Sequence, residues 1–291
     1  MKPMKLVGGI IFGALAYVVG TVIMGMLSPM LHLPAMKAVP GISPQQLFLT
    51  LVLSSPLLAL GLIPLAAGLR GKWVSRCLAI AFLLYVTLGL NTLLEVKLFA
   101  ELLQGSAVLA SLFFVLPCLL TAAVLAYSVG QDGSTAGSMR QLKTLGWAWR
   151  LCLAWLSFPV IYFFFGMCVA PIVVPYYNAH DVLGLKIPPV DVIIRTQLLR
   201  SPIFLAASLP LVVLWAKSRG RLLFALGLAH AMTVGIFQLA QASFLPMTLR
   251  IAHSAEITAD SFAYAAVLTF LFTQSAKAAQ PQLKSSSAAA D

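Results

Sequence analysis

Thr87, Asn91 and Glu95 follow one another at i, i+4 and i+8, and 146 residues further on Thr233, Phe237 and Gln241 keep the same spacing. On a helix that turns about 100° per residue each trio lies on one stripe. His230 precedes Thr233 on that stripe by about a turn, and Gln238 flanks it. Hydroxyl, amide, carboxylate and imidazole groups on one face can hold a polar solute, and Glu95 and His230 are the proton-sensitive members. The same groups would also serve as hydrogen-bonding glue between helices.

Two further groups carry chemistry. His253, Glu256 and Asp260 in IAHSAEITADSF are spaced i, i+3, i+7, and a histidine with carboxylates on one helical face is a donor set for a divalent metal. The two acids equally suit a helix N-terminus, with Asp260 as N-cap. Glu101 and Gly105 hold the comparable places in the first half. Arg195, Gln197 and Arg200 replace Leu49, Leu51 and Ser54 of the first half. Two guanidiniums near one face can hold a phosphate or carboxylate, of a small anionic solute or a lipid headgroup, or can snorkel to the interface. Tyr176 and Tyr177 fit an interfacial aromatic belt.

The elements that must position these groups follow from composition. The chain has 291 residues, 60% of them hydrophobic and 9% charged, with a mean hydropathy of +0.97. That much apolar surface does not fit inside a water-soluble domain. A hydrocarbon core of about 30 Å takes roughly 20 apolar residues per helix, and eight such runs occur: 7–27, 47–69, 77–94, 106–128, 151–175, 192–216, 222–241 and 261–276. None alternates with the period of a membrane strand. An all-α integral membrane protein with eight transmembrane helices is the expected fold class.

The net charge of +11 is one-sided. With the N-terminus placed inside, Lys2, Lys5, Arg70, Lys72, Arg76, Arg140, Lys143, Arg150, Lys217, Arg219, Arg221, Lys277 and Lys284 share one face with only Asp132 and Asp291. The other face balances its six basic and six acidic residues. This is the positive-inside pattern of a plasma (bacterial inner) membrane protein with both termini cytoplasmic, and it implies no nucleic-acid partner.

Sliding the chain by 146 residues pairs Phe12 with Phe158, Gly20 with Gly166, Pro56 with Pro202, Pro64 with Pro210 and Gly89 with Gly235. One offset held over about eighty residues marks a tandem duplication, with four-helix repeats at 1–128 and 148–276, a Gly- and Ser-rich linker at 129–147 and a low-complexity tail at 277–291. Four spans per repeat give both the same orientation. The first span, which resembles a signal peptide, has a partner at 151–175 and reads as a retained helix. The two prolines of each second span are expected to kink or locally unwind it. Matched Pro-rich loops follow the first span of each repeat and are short enough to be ordered.

Cys77, Cys118, Cys152 and Cys168 lie in or beside spans with no CxxC spacing and read as apolar filler. No GxSxG, HExxH, SxxK, Walker A or dinucleotide fingerprint is present. The leading expectation is a transporter-like protein with an outward-opening polar cavity between its repeats. No cofactor beyond that candidate divalent metal is expected. The alternatives are an intramembrane enzyme acting on a lipid-linked substrate at the outer face, and a non-catalytic assembly or sensor subunit docking through its outer loops.

Overall fold

A computed structural model of the chain describes residues 3–39, 41–133, 144–179 and 184–273. Most of the expected linker and the whole of the expected tail lie outside the described residues. Among those described, the protein is helical, with only isolated β-bridges. Eight helices are long and apolar enough to cross a membrane: α1 (Pro3–Leu27), α2 (Pro44–Ala66), α3 (Trp73–Phe99), α4 (Ala107–Ser128), α5 (Leu145–Asn178), α6 (Val190–Leu214), α7 (Arg219–Gln241) and α8 (Met247–Phe272).

Seven of them match their expected run closely, and α8 does not. It starts at Met247, directly after Pro246, instead of near Ser261. Charged residues were read as the limit of a span because they are costly in lipid. Here they face protein, so the helix continues through them. His253, Glu256 and Asp260 are therefore interior helix residues, and Asp260 is not an N-cap. Glu101 is not their counterpart either, because it lies in the loop before α4, paired with Lys186 at 3.4 Å.

No unwound turn appears at the prolines of the second spans. Helices α2 and α6 run unbroken through Pro56, Pro64, Pro202 and Pro210. A proline deprives the carbonyl four residues earlier of its donor. Pro202 frees Leu198 O, which accepts from Trp155 Nε1 of α5 at 2.8 Å; Pro159 frees Trp155 O, which accepts from Ser201 Oγ of α6 at 2.6 Å. The seam between α5 and α6 thus repairs one gap in each helix. The departures from α-geometry fall elsewhere, as π-helical segments at Tyr85–Leu90 in α3 and Met232–Ile236 in α7, one helix further on, and as a 3-10 turn at Leu112–Phe114 in α4. Each π segment contains a Thr-x-Gly: Gly89 leaves room for Phe114, and Gly235 for Ile257, whose Cδ1 would stand 2.2 Å from an added Cβ.

Helix α1 packs on α2 and α4, and α5 on α6 and α8; α3 packs on α4 and α6, and α7 on α8 and α2. Helices α3 and α7 are the most enclosed and α5 the least. Two contacts join residues 146 positions apart. Thr92 Oγ1 accepts from Gln238 Nε2 at 2.7 Å, and Leu69 bridges Trp215 at the end of the bundle shared by the start of α1 and the end of α8. Flanking that bridge, Arg70 N donates to Leu214 O at 2.9 Å and Ala216 N to Gly68 O at 3.1 Å.

On this same end Arg76 is buried, bonding Gln131 O at 2.8 Å, Ala126 O at 3.1 Å and the Asp132 carboxylate at 2.8 Å. Partial burial, then Arg221 and Arg70, lower the affinity of the nearby Lys217 ammonium for its proton. The opposite end is closed by loops. Lys37 N donates to Leu102 O at 2.8 Å and Lys186 N to Phe99 O at 2.9 Å, so both Pro-rich loops dock on the α3–α4 connection.

Candidate functional site

Arg200 and Glu95 are opposite charges on helices of different halves, and the fold joins them. Arg200 Nη2 lies 2.7 Å from Glu95 Oε1, with the arginine side chain 3% exposed and the glutamate 30%. Arg200 Nη1 also donates to Gln197 Oε1 at 2.9 Å, one turn earlier on α6. The rings of Phe158, Tyr162 and Phe204 each lie with their centroids 5.8 Å from the guanidinium carbon. These rings exclude water and strengthen the ion pair.

Helix α8 supplies the remaining charge. Its i, i+3, i+7 spacing sets His253, Glu256 and Asp260 along one stripe. His253 Nδ1 stands 2.8 Å from Glu256 Oε2, and its Nε2 stands 3.2 Å from the Tyr177 hydroxyl of α5. Glu256 reaches α5 where Gly166 leaves it space: an added Cβ there would meet Oε1 at 3.3 Å. Asp260 is in electrostatic range of Glu256, Glu95 and Arg200. Its Oδ1 is buried without a hydrogen-bond partner. Tyr162 faces the same group, in range of Glu95, Arg200 and Glu256. One carboxylate thus pairs with the guanidinium, and a second, that of Asp260, is within its electrostatic range.

Between Arg200 and α3 is a narrow cleft of about 10 Å³, lined also by Asn91, Leu94, Val86 and Phe204, with room for about one water molecule. Asn91 is 1% exposed, and neither its Oδ1 nor its Nδ2 has a partner. Arg200 Nε and Gln197 Nε2 are likewise buried and unpaired. An unpaired buried amide or guanidinium N–H costs about 1–3 kcal/mol, so these groups are the costly part of the cluster. A wider groove of about 480 Å³ between α3 and α6, lined by Ser75, Leu78, Phe82 and Pro210 among others, is almost wholly apolar and distant from this chemistry.

The other expected site residues fall elsewhere. Thr87 and Thr233 are buried and donate to Leu83 O at 2.7 Å and Ala229 O at 2.8 Å of their own helices. Gln238 Nε2 donates to Thr92 Oγ1 and Thr233 O while its Oε1 is buried without a partner, and Gln241 donates to Phe237 O at 3.2 Å. On α7 the stripe is filled by Phe237, whose ring packs edge-on against Tyr17. The polar stripes of α3 and α7 therefore do not face one open cavity. His230 is buried between the rings of Phe204 and Tyr264, with Nε2 3.1 Å from Ser208 Oγ. Arg195 is 81% exposed and paired with Asp191 at 3.4 Å, one turn away. Among the described residues no three His, Cys, Asp or Glu side chains stand where they could hold a metal ion.

Sequence reasoning named Glu95 and Arg200 without pairing them, and it missed Tyr162. The signal for the pair was present: two opposite charges inside otherwise apolar spans must find each other or water. Tyr162 gave no such signal, being one aromatic residue in the run YFFF.

No family model matches the chain, and neither does any curated protein or solved structure at a significant level. The fold itself defines an all-helical protein whose eight apolar helices are compatible with a multi-spanning membrane protein.

Proposed function

We propose that this chain is a transporter-like protein of the plasma (bacterial inner) membrane, built as two tandem four-helix repeats with both termini cytoplasmic. Its working site is the polar cluster of α3, α5, α6 and α8. The observation that carries the reading is the buried Glu95–Arg200 pair, which ties the two halves together beside an amide and a guanidinium N–H with no partner. Paired π segments and contacts between residues 146 apart support the duplication. In carriers of this design the halves move about a site near mid-membrane. The narrow cleft at Asn91 is then the closed form of a path that widens when the halves part.

The charge balance also bears on the guest. Arg200 already has a carboxylate, and Asp260 has no cation paired with it, so a cationic or neutral polar solute fits better than an anion.

Opening is tested with single cysteines at Val86 and Leu94 in a background lacking Cys77, Cys118, Cys152 and Cys168. Intact cells are labelled with a membrane-impermeant thiol reagent. Val86→Cys, buried at the cleft, should react over time, whereas Leu83→Cys, buried elsewhere on α3, should not. If Val86→Cys and Leu94→Cys stay silent while Met30→Cys on the exposed loop reacts, the transporter reading fails.

A further inference from the structure

Charges within a low-dielectric bundle must balance, because an unpaired buried ion costs several kcal/mol. Arg200 matches Glu95, and His253 stands against Glu256. Asp260 is left over. It is half-way along α8, and its Oδ1 is buried without a partner. As long as Arg200 is held by Glu95, the positive charge that balances Asp260 has to come from outside the protein.

That counter-charge is small. Three His, Cys, Asp or Glu side chains nowhere converge among the described residues, and the cleft that Arg200 lines has room for about one water molecule. A proton needs only one oxygen and little space. Asn91, unpaired at both ends and 1% exposed, lines that cleft with Arg200 and can order a water against the guanidinium that Asp260 would take over.

We infer that Asp260 binds the coupling proton of this site, and that Arg200 changes carboxylate partner when the proton leaves. This rests on the transporter reading above. With Asp260 protonated, Arg200 stays with Glu95 and holds α3 of the first half against α6 of the second. When the carboxyl O–H bond breaks, the proton passes to water and its electron pair stays on Asp260 as a carboxylate. Arg200 then moves its hydrogen bonds to Asp260, and Glu95, already 30% exposed, turns to solvent as a free carboxylate. The lock between the halves is open. Rebinding of a proton reverses the exchange.

Other titratable groups face this exchange. Tyr162 and Tyr177 look in from α5, and Glu256 and His253 share α8 with Asp260. Further along the bundle, His230 of α7 contacts Tyr264 instead. Substituting Asp260 alone separates its role from theirs.

The experiment measures the labelling rate of Val86→Cys in intact cells, relative to Met30→Cys so that ionisation of the thiol itself is divided out, across acidic to alkaline buffers. The expected result is a relative rate that rises with pH, approaching about tenfold per pH unit where one proton controls opening. Asp260→Asn, a permanently neutral stand-in, should abolish that rise and leave labelling slow, and Asp260→Glu should restore it with a shifted midpoint. Replacing external sodium by choline at fixed pH should change nothing. Three results overturn the inference while the transporter reading stands: labelling that ignores pH, labelling that follows sodium, or an unchanged pH slope in Asp260→Asn. Silence of Val86→Cys in every buffer overturns both. Should Asp260→Asn fail to accumulate, Asp260→Glu decides, because an unshifted midpoint there also refutes the proton site.

Discussion

The Glu95–Arg200 contact can be weighed before any solute is known. Arg200→Gln leaves Glu95 ionised next to Asp260 and Glu256, with its only guanidinium partner gone. Removing one member of a buried pair costs about 3–5 kcal/mol. Two unit charges about 4 Å apart at an effective dielectric of about 20 attract by roughly 4 kcal/mol, which agrees. Water reaching the 30% exposed glutamate favours the lower end. At about 2–4 °C per kcal/mol for a chain of this size class, the melting midpoint in detergent should fall by roughly 6–12 °C, read as the monomer peak surviving heating. Glu95→Gln should cost less, because Arg200 keeps Gln197. The double variant is decisive. It removes the stranded carboxylate, so its loss should be smaller than the sum of the single losses by about 2 kcal/mol. Additivity within about 0.5 kcal/mol would mean that the two charges do not interact, and the lock between halves would be refuted with them.

Three other outcomes are expected. Leu69 and Trp215 form a bridge flanked by two hydrogen bonds, the close pairing whose Cα separation of about 4.5 Å admits a disulfide; Leu69→Cys with Trp215→Cys, in the cysteine-free background, should cross-link within one chain on mild oxidation, and a failure to do so would contradict the contact between the halves. Gly68→Ala would set a Cβ 1.9 Å from the Trp215 ring, so it should lower the midpoint by at least the few degrees of a 1–3 kcal/mol overpacking loss, and Trp215→Leu should suppress that loss. Trp155→Phe strips the indole N–H from Leu198 O and should cost about 1 kcal/mol, measured as the same heated-monomer shift, with no change if the carbonyl finds another donor.

The eight long helices were readable because runs this apolar leave little choice. A run of about twenty apolar residues between charges is a helix, and hydropathy found all eight. What failed was the use of charge as a boundary. Glu256 and Asp260 end a run only if the helix faces lipid, and which way α8 faces depends on α7 and α5 packing against it, information that lies outside the run itself. The unwinding expected at the prolines is absent for a related reason. Pro202 is a defect in an isolated helix, and only the neighbouring Trp155 makes it harmless. The site was half legible. Glu95, Arg200 and the α8 trio were singled out by charge in apolar surroundings, while their convergence needed the crossing of α3 with α6. The stripe at Thr87 and Thr233 looked polar by residue type, but both hydroxyls are consumed by their own backbone.

The reciprocal bonds between Trp155 and Ser201 also constrain how the protein is made. A carbonyl stranded in hydrocarbon costs several kcal/mol, and α5 and α6 each supply the donor for one such carbonyl of the other. On the proposed membrane reading, each segment would be better satisfied in a bilayer beside the other than alone. The ribosome finishes α5 first, so that helix would hold an open carbonyl until α6 arrives. The two would then enter lipid as a hairpin, with their pairing an early step of assembly.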